Sequence, residues 1–243
     1  MSCVRLRDCD MERRKRIALY GGTFDPVHIG HIAVAQALLK LFALDELLFI
    51  PAHVAPHKRG AFVSPPLHRY AMLALATQEA EALRISTIEL DAPERPYTVE
   101  TLTRLQEELG QRARLFFIMG ADSWAEITTW REWERVLLMT NHIVVTRPGY
   151  ELGAEHVTPA IRERIVDLRA CAPGEIAERI AESVGPRVFV TDAIFVDVSA
   201  TGIRKSISAG TDDEWPRLLP QAVADYVRKY GLYRKSYGTE FTD

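Results

Sequence analysis

The chain has 243 residues, 47% hydrophobic and 26% charged, a balance that excludes a wholly disordered protein and fits one large domain or two small ones. Thirty Lys and Arg against 33 Asp and Glu leave a net charge of −3, a poor match to a dedicated nucleic-acid binder. Three cysteines, Cys3, Cys9 and Cys171, are odd in number and lack metal-ligand spacing, which argues for a reducing, cytoplasmic setting and against a disulfide framework or zinc site.

The N-terminus carries Arg5, Arg7, Arg13, Arg14, Lys15 and Arg16 with no apolar core behind them, so it does not read as a secretory signal. Residues 1–16 are expected to form a basic, flexible extension. The most apolar stretch, 29–39, is too short to cross a membrane and ends at Lys40.

From residue 17 the pattern alternates. Residues 17–20 (IALY) read as a buried strand closed by Gly21-Gly22, and 29–43 place apolar side chains at the three-and-four spacing of a helix. A strand at 47–50 ends at Pro51, and Pro65-Pro66 introduces a helix over 67–81. A strand at 83–88, a helix at 99–109 and a strand at 115–119 follow, then a helix at 133–139 and a strand at 142–146. This rhythm predicts an α/β fold: a doubly wound, mainly parallel sheet with helices on both faces. Residues 17–243 are expected to form a single domain. Beyond Arg147-Pro148-Gly149 the rhythm loosens. Thr158-Pro159 predicts a capped helix over 160–168, with another over 175–184, so 151–190 reads as a helical addition. A strand at 187–190, a short helix at 201–208 and one amphipathic helix over 215–230 complete the chain.

In such a fold ligands bind beyond the carboxyl ends of strands. The first of these ends reads Gly21-Gly22-Thr23-Phe24-Asp25-Pro26-Val27-His28-Ile29-Gly30-His31. Two glycines let backbone approach a polyanion, the following helix points free amides at the loop, and two imidazoles stand beside them as donors to phosphate oxygen. Neither the dinucleotide fingerprint nor the Walker sequence is present. A metal pair at His28 and His31 finds no convincing third ligand. Taken alone, Gly-Gly is a turn and a histidine at a helix start is a cap.

GGTFDPVHIGH resembles the H-x-G-H loop of the nucleotidylyltransferase superfamily. Residues 198–204 (VSATGIR) resemble that superfamily's second motif, which opens a helix and delivers an arginine. Between them lie PAHVAPHK (51–58), PYTVETL (96–102), FIMGADSWAEITTW (117–130) and TRPG (146–149). The set, in this order, resembles the bacterial nicotinate-nucleotide adenylyltransferase family over about 17–150 and 198–233, with no comparable match at 151–190.

The resemblance implies a Rossmann-like nucleotidylyltransferase fold and transfer of the adenylyl group of ATP to nicotinate mononucleotide, with Mg²⁺ accompanying ATP. Its partners are these two small molecules, with neither nucleic acid nor membrane; the extra stretch is a candidate contact in a homo-oligomer. It implies that His28, His31 and Arg204 serve catalysis. ATP contacts fall to Gly21, Gly22, Thr23, Phe24, His28, His31, Lys58 (beside His57), Asp122, Ser199, Thr201, Ile203 and Arg204, and no residue is assigned to a metal. It implies that Trp130 stacks on the nicotinate ring, and that Tyr97, Thr98 and Arg131 contact the same nucleotide, the last two through their amides. Packing is the structural alternative for Trp130, as expected for Trp124 and Trp133, and an N-cap is the alternative for Asp122. Ala200 and Pro96 depart from the family pattern, each where serine is common. Rival activities are transfer to nicotinamide mononucleotide or phosphopantetheine, or nucleotide binding without turnover.

Overall fold

The computed structural model describes residues 14–53, 63–194, 196–210 and 214–234. Seven strands form one sheet: β1 (Lys15–Gly22), β2 (Glu46–Pro51), β3 (Leu83–Ile85), β4 (Ala113–Gly120), β5 (Asn141–Val145), β6 (Ile165–Asp167) and β7 (Val188–Thr191). Their order is β3-β2-β1-β4-β5-β7-β6, and all six pairings are parallel. Strand order reverses between β1 and β4, which opens a crevice at the carboxyl ends of these strands.

The strands explain this layering. Ile17 and Leu19 of β1 and Leu115, Phe117 and Met119 of β4 face one core, whereas Ala18, Phe116 and Ile118 face the other, as a period of two requires. Both faces are covered. On one side pack α1 (Ile29–Leu41), α2 (Pro66–Thr77), α7 (Pro173–Glu182), α8 (Ala200–Ala209) and α9 (Gln221–Lys229), through Leu38, Met72, Ile180, Ile203 and Val223 among others. On the other pack α3 (Thr98–Leu109), α4 (Ala121–Ala125), α5 (Trp133–Met139) and the single turn α6 (Pro159–Arg162), through Val99, Leu102, Trp124, Val136 and Ile161.

Three expectations are corrected. β1 begins at Lys15, and the Arg16 amide donates to Asp45 Oδ2 at 2.7 Å, so 15 and 16 belong to the sheet rather than to an extension. Residues 1–13 lie outside the described residues. The helix expected over 160–168 lasts one turn, after which Ile165–Asp167 pairs with Val188, Phe189 and Val190 as the edge strand β6. β-branched Ile165 and Val166 gain more from a pleated edge than from a second helical turn, so 151–190 is not purely helical. The helix expected over 215–230 is split by Pro220, which has no amide to donate: a 3-10 turn spans Trp215–Leu218, and α9 starts at Gln221.

Candidate active site

β1 delivers Gly21 and Gly22 to the crevice. A side chain at Gly22 would put its Cβ 2.8 Å from the Phe24 ring, so only glycine fits. Phe24 itself has φ of 50°, the left-handed region, and its buried ring packs edge-on against Tyr20, Phe49 and His31 at centroid distances of 5.6, 5.3 and 5.1 Å. That packing holds a backbone conformation that a bulky residue rarely adopts.

At the start of α1 the His28 and His31 rings stack at 3.7 Å. The His28 amide donates to His31 Nδ1 at 3.2 Å, so Nδ1 is the acceptor and Nε2 carries the proton of the neutral ring. Burial lowers the His28 pKa to about 4; burial and then His28 hold His31 well below the usual imidazole range. Both rings are neutral donors near pH 7. Gly30 belongs to the same geometry, because a Cβ there would lie 3.1 Å from His28 Nδ1 and 3.6 Å from Val196 Cβ.

The second motif reaches this loop from the far end of the chain. Ser199 caps α8, its hydroxyl accepting from the Gly202 amide at 3.1 Å. Arg204 donates through Nη1 to the Asp25 carbonyl at 2.6 Å and through Nη2 to Thr201 Oγ1 at 3.2 Å. One face of a five-donor guanidinium is thereby anchored, with donors to spare for phosphate.

A cleft of about 400 Å³ opens at the carboxyl ends of β1 and β4. Eight of the expected site residues line it together: Gly21, Gly22, Thr23, Tyr97, Thr98, Asp122, Trp130 and Arg131. Thr98 is the first residue of α3, and neither its amide nor that of Arg131 donates to another described residue. Trp130 is half-buried and meets Phe117 edge-on at 6.2 Å. The Arg131 guanidinium lies 4.7 Å over the Tyr97 ring and 3.4 Å from Glu100, closing one wall.

His28, His31, Ser199, Thr201 and Arg204 do not line that cleft; they form an adjoining cluster joined to it through Tyr20, which lies 6.1 Å from His31. Some expectations shift in detail. Ile203 is buried in the core and its amide donates to the Ser199 carbonyl, so it offers no free contact to a ligand. Phe24 is likewise buried, its ring packed against Tyr20, Phe49 and His31. Asp122 is exposed at the second position of α4, whose N-cap is Gly120, so the capping role is excluded. Trp124 is core, as expected, and Trp133 packs against it only in part. His57 and Lys58 lie outside the described residues.

The sequence reading missed Asp25, Arg69, Glu89 and Tyr233. Asp25 is buried; its carboxylate accepts from the Tyr233 hydroxyl at 2.6 Å and the Ser64 amide at 3.1 Å. Glu89 lines the cleft and accepts from Thr101 Oγ1 at 2.9 Å; burial raises its pKa, against that hydrogen bond. A signal for Arg69 did exist: it sits three and four residues before Met72 and Leu73, on the apolar face of α2. Among the described residues no group of three His, Cys, Asp or Glu could hold a metal, and no helix is long and apolar enough to cross a membrane.

Residues 19–206 match the cytidylyltransferase-like family. A probable nicotinate-nucleotide adenylyltransferase of a Thermoanaerobacter species is 35% identical over 225 residues, covering 93% of this chain and 97% of that one. Another so named, of Desulfatibacillum aliphaticivorans, is 36% identical over 220 residues, 90% of this chain and 99% of its own. The solved structure of Plasmodium falciparum nicotinic acid mononucleotide adenylyltransferase complexed with NaAD superposes with a TM-score of 0.67, covering 90% of this chain and 98% of that one. At 19% identity this second likeness concerns the fold.

Proposed function

The chain belongs to the cytidylyltransferase-like family and, within it, to the nicotinate-nucleotide adenylyltransferases, and from that premise we infer that it joins the adenylyl group of ATP to nicotinate mononucleotide, giving deamido-NAD and pyrophosphate in NAD biosynthesis. The observation that carries this reading is the single cleft in which the glycine loop, the free start of α3 and Trp130 face one another. Its aromatic, amide-lined pocket lies beside the glycine loop, and the cluster of His28, His31 and Arg204 that would take the polyphosphate adjoins it.

A phosphate oxygen of the mononucleotide attacks the α-phosphorus of ATP, a P–O bond forms, and the bond to the β-phosphate oxygen breaks. No protein nucleophile is needed, so the protein contributes orientation and charge stabilisation. His31 would donate Nε2–H to the α-phosphoryl oxygen, with His28 stacked beside it and adding a second ring donor. Arg204 would hold the departing pyrophosphate with the donors it does not spend on Asp25 and Thr201. Ser199 supports that role by capping the helix carrying Arg204. Gly21, Gly22 and Thr23 would border the triphosphate, Asp122 the adenosine ribose, and Lys58 the phosphates.

In the acceptor pocket Trp130 would stack on the pyridine ring, beside Tyr97. The unpartnered amides of Thr98 and Arg131 would receive the nicotinate carboxylate. An amide substrate would present its own N–H₂ to those donors, which favours the acid. Both Asp25 carboxylate oxygens are already engaged with protein donors. Mg²⁺ would therefore ride on phosphate oxygens and water, where it would neutralise triphosphate charge. Substrates of this kind and three sparse cysteines support a cytoplasmic location.

Pyrophosphate release with ATP and Mg²⁺, measured with nicotinate and nicotinamide mononucleotides side by side, tests the reading. A large preference for the acid is expected. Comparable rates would overturn the substrate, and silence with both would overturn the activity.

A further inference from the structure

Arg69 has no exposed surface and makes no hydrogen bond to a carboxylate among the described residues. Its guanidinium instead donates to three backbone carbonyls: Nη1 to Thr23 at 2.9 Å, Nη2 to His53 at 3.0 Å and Nε to Ser64 at 3.1 Å. These carbonyls come from three separate segments: the loop after β1, the turn after β2, and the approach to α2. The Ser64 amide continues the chain to the Asp25 carboxylate, which also holds the Tyr233 hydroxyl, while the Asp25 carbonyl holds Arg204.

The consequence for the phosphate loop follows from peptide planarity. Fixing the Thr23 carbonyl fixes the plane of the Thr23–Phe24 peptide and hence the direction of the Phe24 amide. Phe24 occupies the left-handed region, a conformation that persists only when its surroundings enforce it, and its ring packs against His31. The guanidinium meets the three carbonyls with three different nitrogens in fixed directions, whereas the three donors of a lysine ammonium all sit on one nitrogen and cannot reach carbonyls so spread.

We propose that Arg69 is a positioning residue for adenylyl transfer: without touching substrate, it clamps the Thr23, His53 and Ser64 carbonyls so that the phosphate loop, through Phe24, presents His31 to ATP. The proposal rests on the reading of that loop as the ATP site.

The test separates the two substrates. ATP with Mg²⁺ and nicotinate mononucleotide are titrated individually into the parent and Arg69→Lys proteins, with melting curves and kcat on the same samples. The lysine variant is expected to fold, to bind ATP about tenfold or more weakly with a lower kcat, and to bind the mononucleotide within about twofold of the parent. Unchanged ATP affinity and kcat in folded Arg69→Lys would overturn the proposal. So would equal weakening of both ligands, the mark of general loosening. Should Arg69→Lys fail to fold, Tyr233→Phe, which removes one anchor of Asp25, decides: ATP-selective weakening supports the clamp, and its absence refutes it. A parent protein that binds ATP but turns over neither mononucleotide would instead sink the assigned activity, leaving the ATP comparison to judge the clamp.

Discussion

His31 offers the sharpest separation of chemistry from architecture, because its two ring nitrogens do different work. Nδ1 accepts the His28 amide at 3.2 Å and so belongs to the helix start; Nε2 carries the proton available to substrate. An asparagine side chain can reproduce the first nitrogen and a glutamine the second. His31→Asn should therefore keep the cap and lose the donor. Removing one preorganised donor from a charge that develops in the transition state costs about 3 kcal/mol, or roughly a hundredfold or more in kcat. His31→Gln should retain more turnover but lose the cap, costing about 1 kcal/mol and a few degrees of Tm. Charging the ring is opposed by burial and by His28 stacked at 3.7 Å, so the active donor is the neutral imidazole. kcat should consequently show no inflection near the ordinary histidine pKa of about 6.5. The assay is pyrophosphate release at saturating ATP and mononucleotide from pH 5.5 to 8, beside melting curves of each variant. A parent-like kcat in His31→Asn would refute the donor role. A kcat that rises as pH falls through 6.5 would show that the imidazolium acts, and would refute the argument from burial.

If Trp130 stacks on the pyridine, Trp130→Ala should raise KM for the mononucleotide about tenfold or more and leave that for ATP nearly unchanged; equal effects on both would assign it to packing against Phe117. Gly30→Ala brings a methyl to within 3.1 Å of His28 Nδ1, so it should cut kcat well beyond any loss of Tm, and a parent-like kcat would show that the ring gives way without consequence. Stability should decline on acidification for a stated reason. His28 and His142 are both lowered from 6.5 to about 4 by burial, so the unfolded chain takes up protons that the folded state refuses. Their contribution is complete above pH 6.5, falls as pH drops, and is lost near pH 4, at about 3 kcal/mol each. Urea unfolding between pH 7.5 and 4.5 reads the slope. His142→Asn, which keeps a donor for the Thr140 carbonyl but cannot titrate, should flatten it, and an identical slope in that variant would refute the assignment.

Much of the fold and the site was legible in the chain because the signals involved are local. The run 17–20, the glycines after it, the apolar face of 29–43 and Pro51 each act through neighbours a few residues away, and α5 falls where its pattern predicts. The H-x-G-H loop, Thr98 at a helix start and the arginine of the second motif are local patterns too. Competition between local signals caused the misreadings: Ile165 and Val166 fit a helical period but pair as an edge strand once Val188–Thr191 lies beside them. A sequence cannot rank those alternatives, because the partner strand supplies the energy that decides.

Burial and partnership were beyond it for the same reason. Asp25 is bound by Tyr233, 208 positions away, and by its own carbonyl to Arg204, 179 positions away. The place of Arg69 on the apolar face of α2 can be read from the chain, but the three carbonyls it meets, from segments up to 46 positions away, cannot. Sequence determined which chemical groups the chain carries, and most of the helices and strands that carry them. Tertiary structure decided which groups lose water together, and desolvation is what neutralises His28 and His31 and makes a backbone carbonyl a partner worth an arginine.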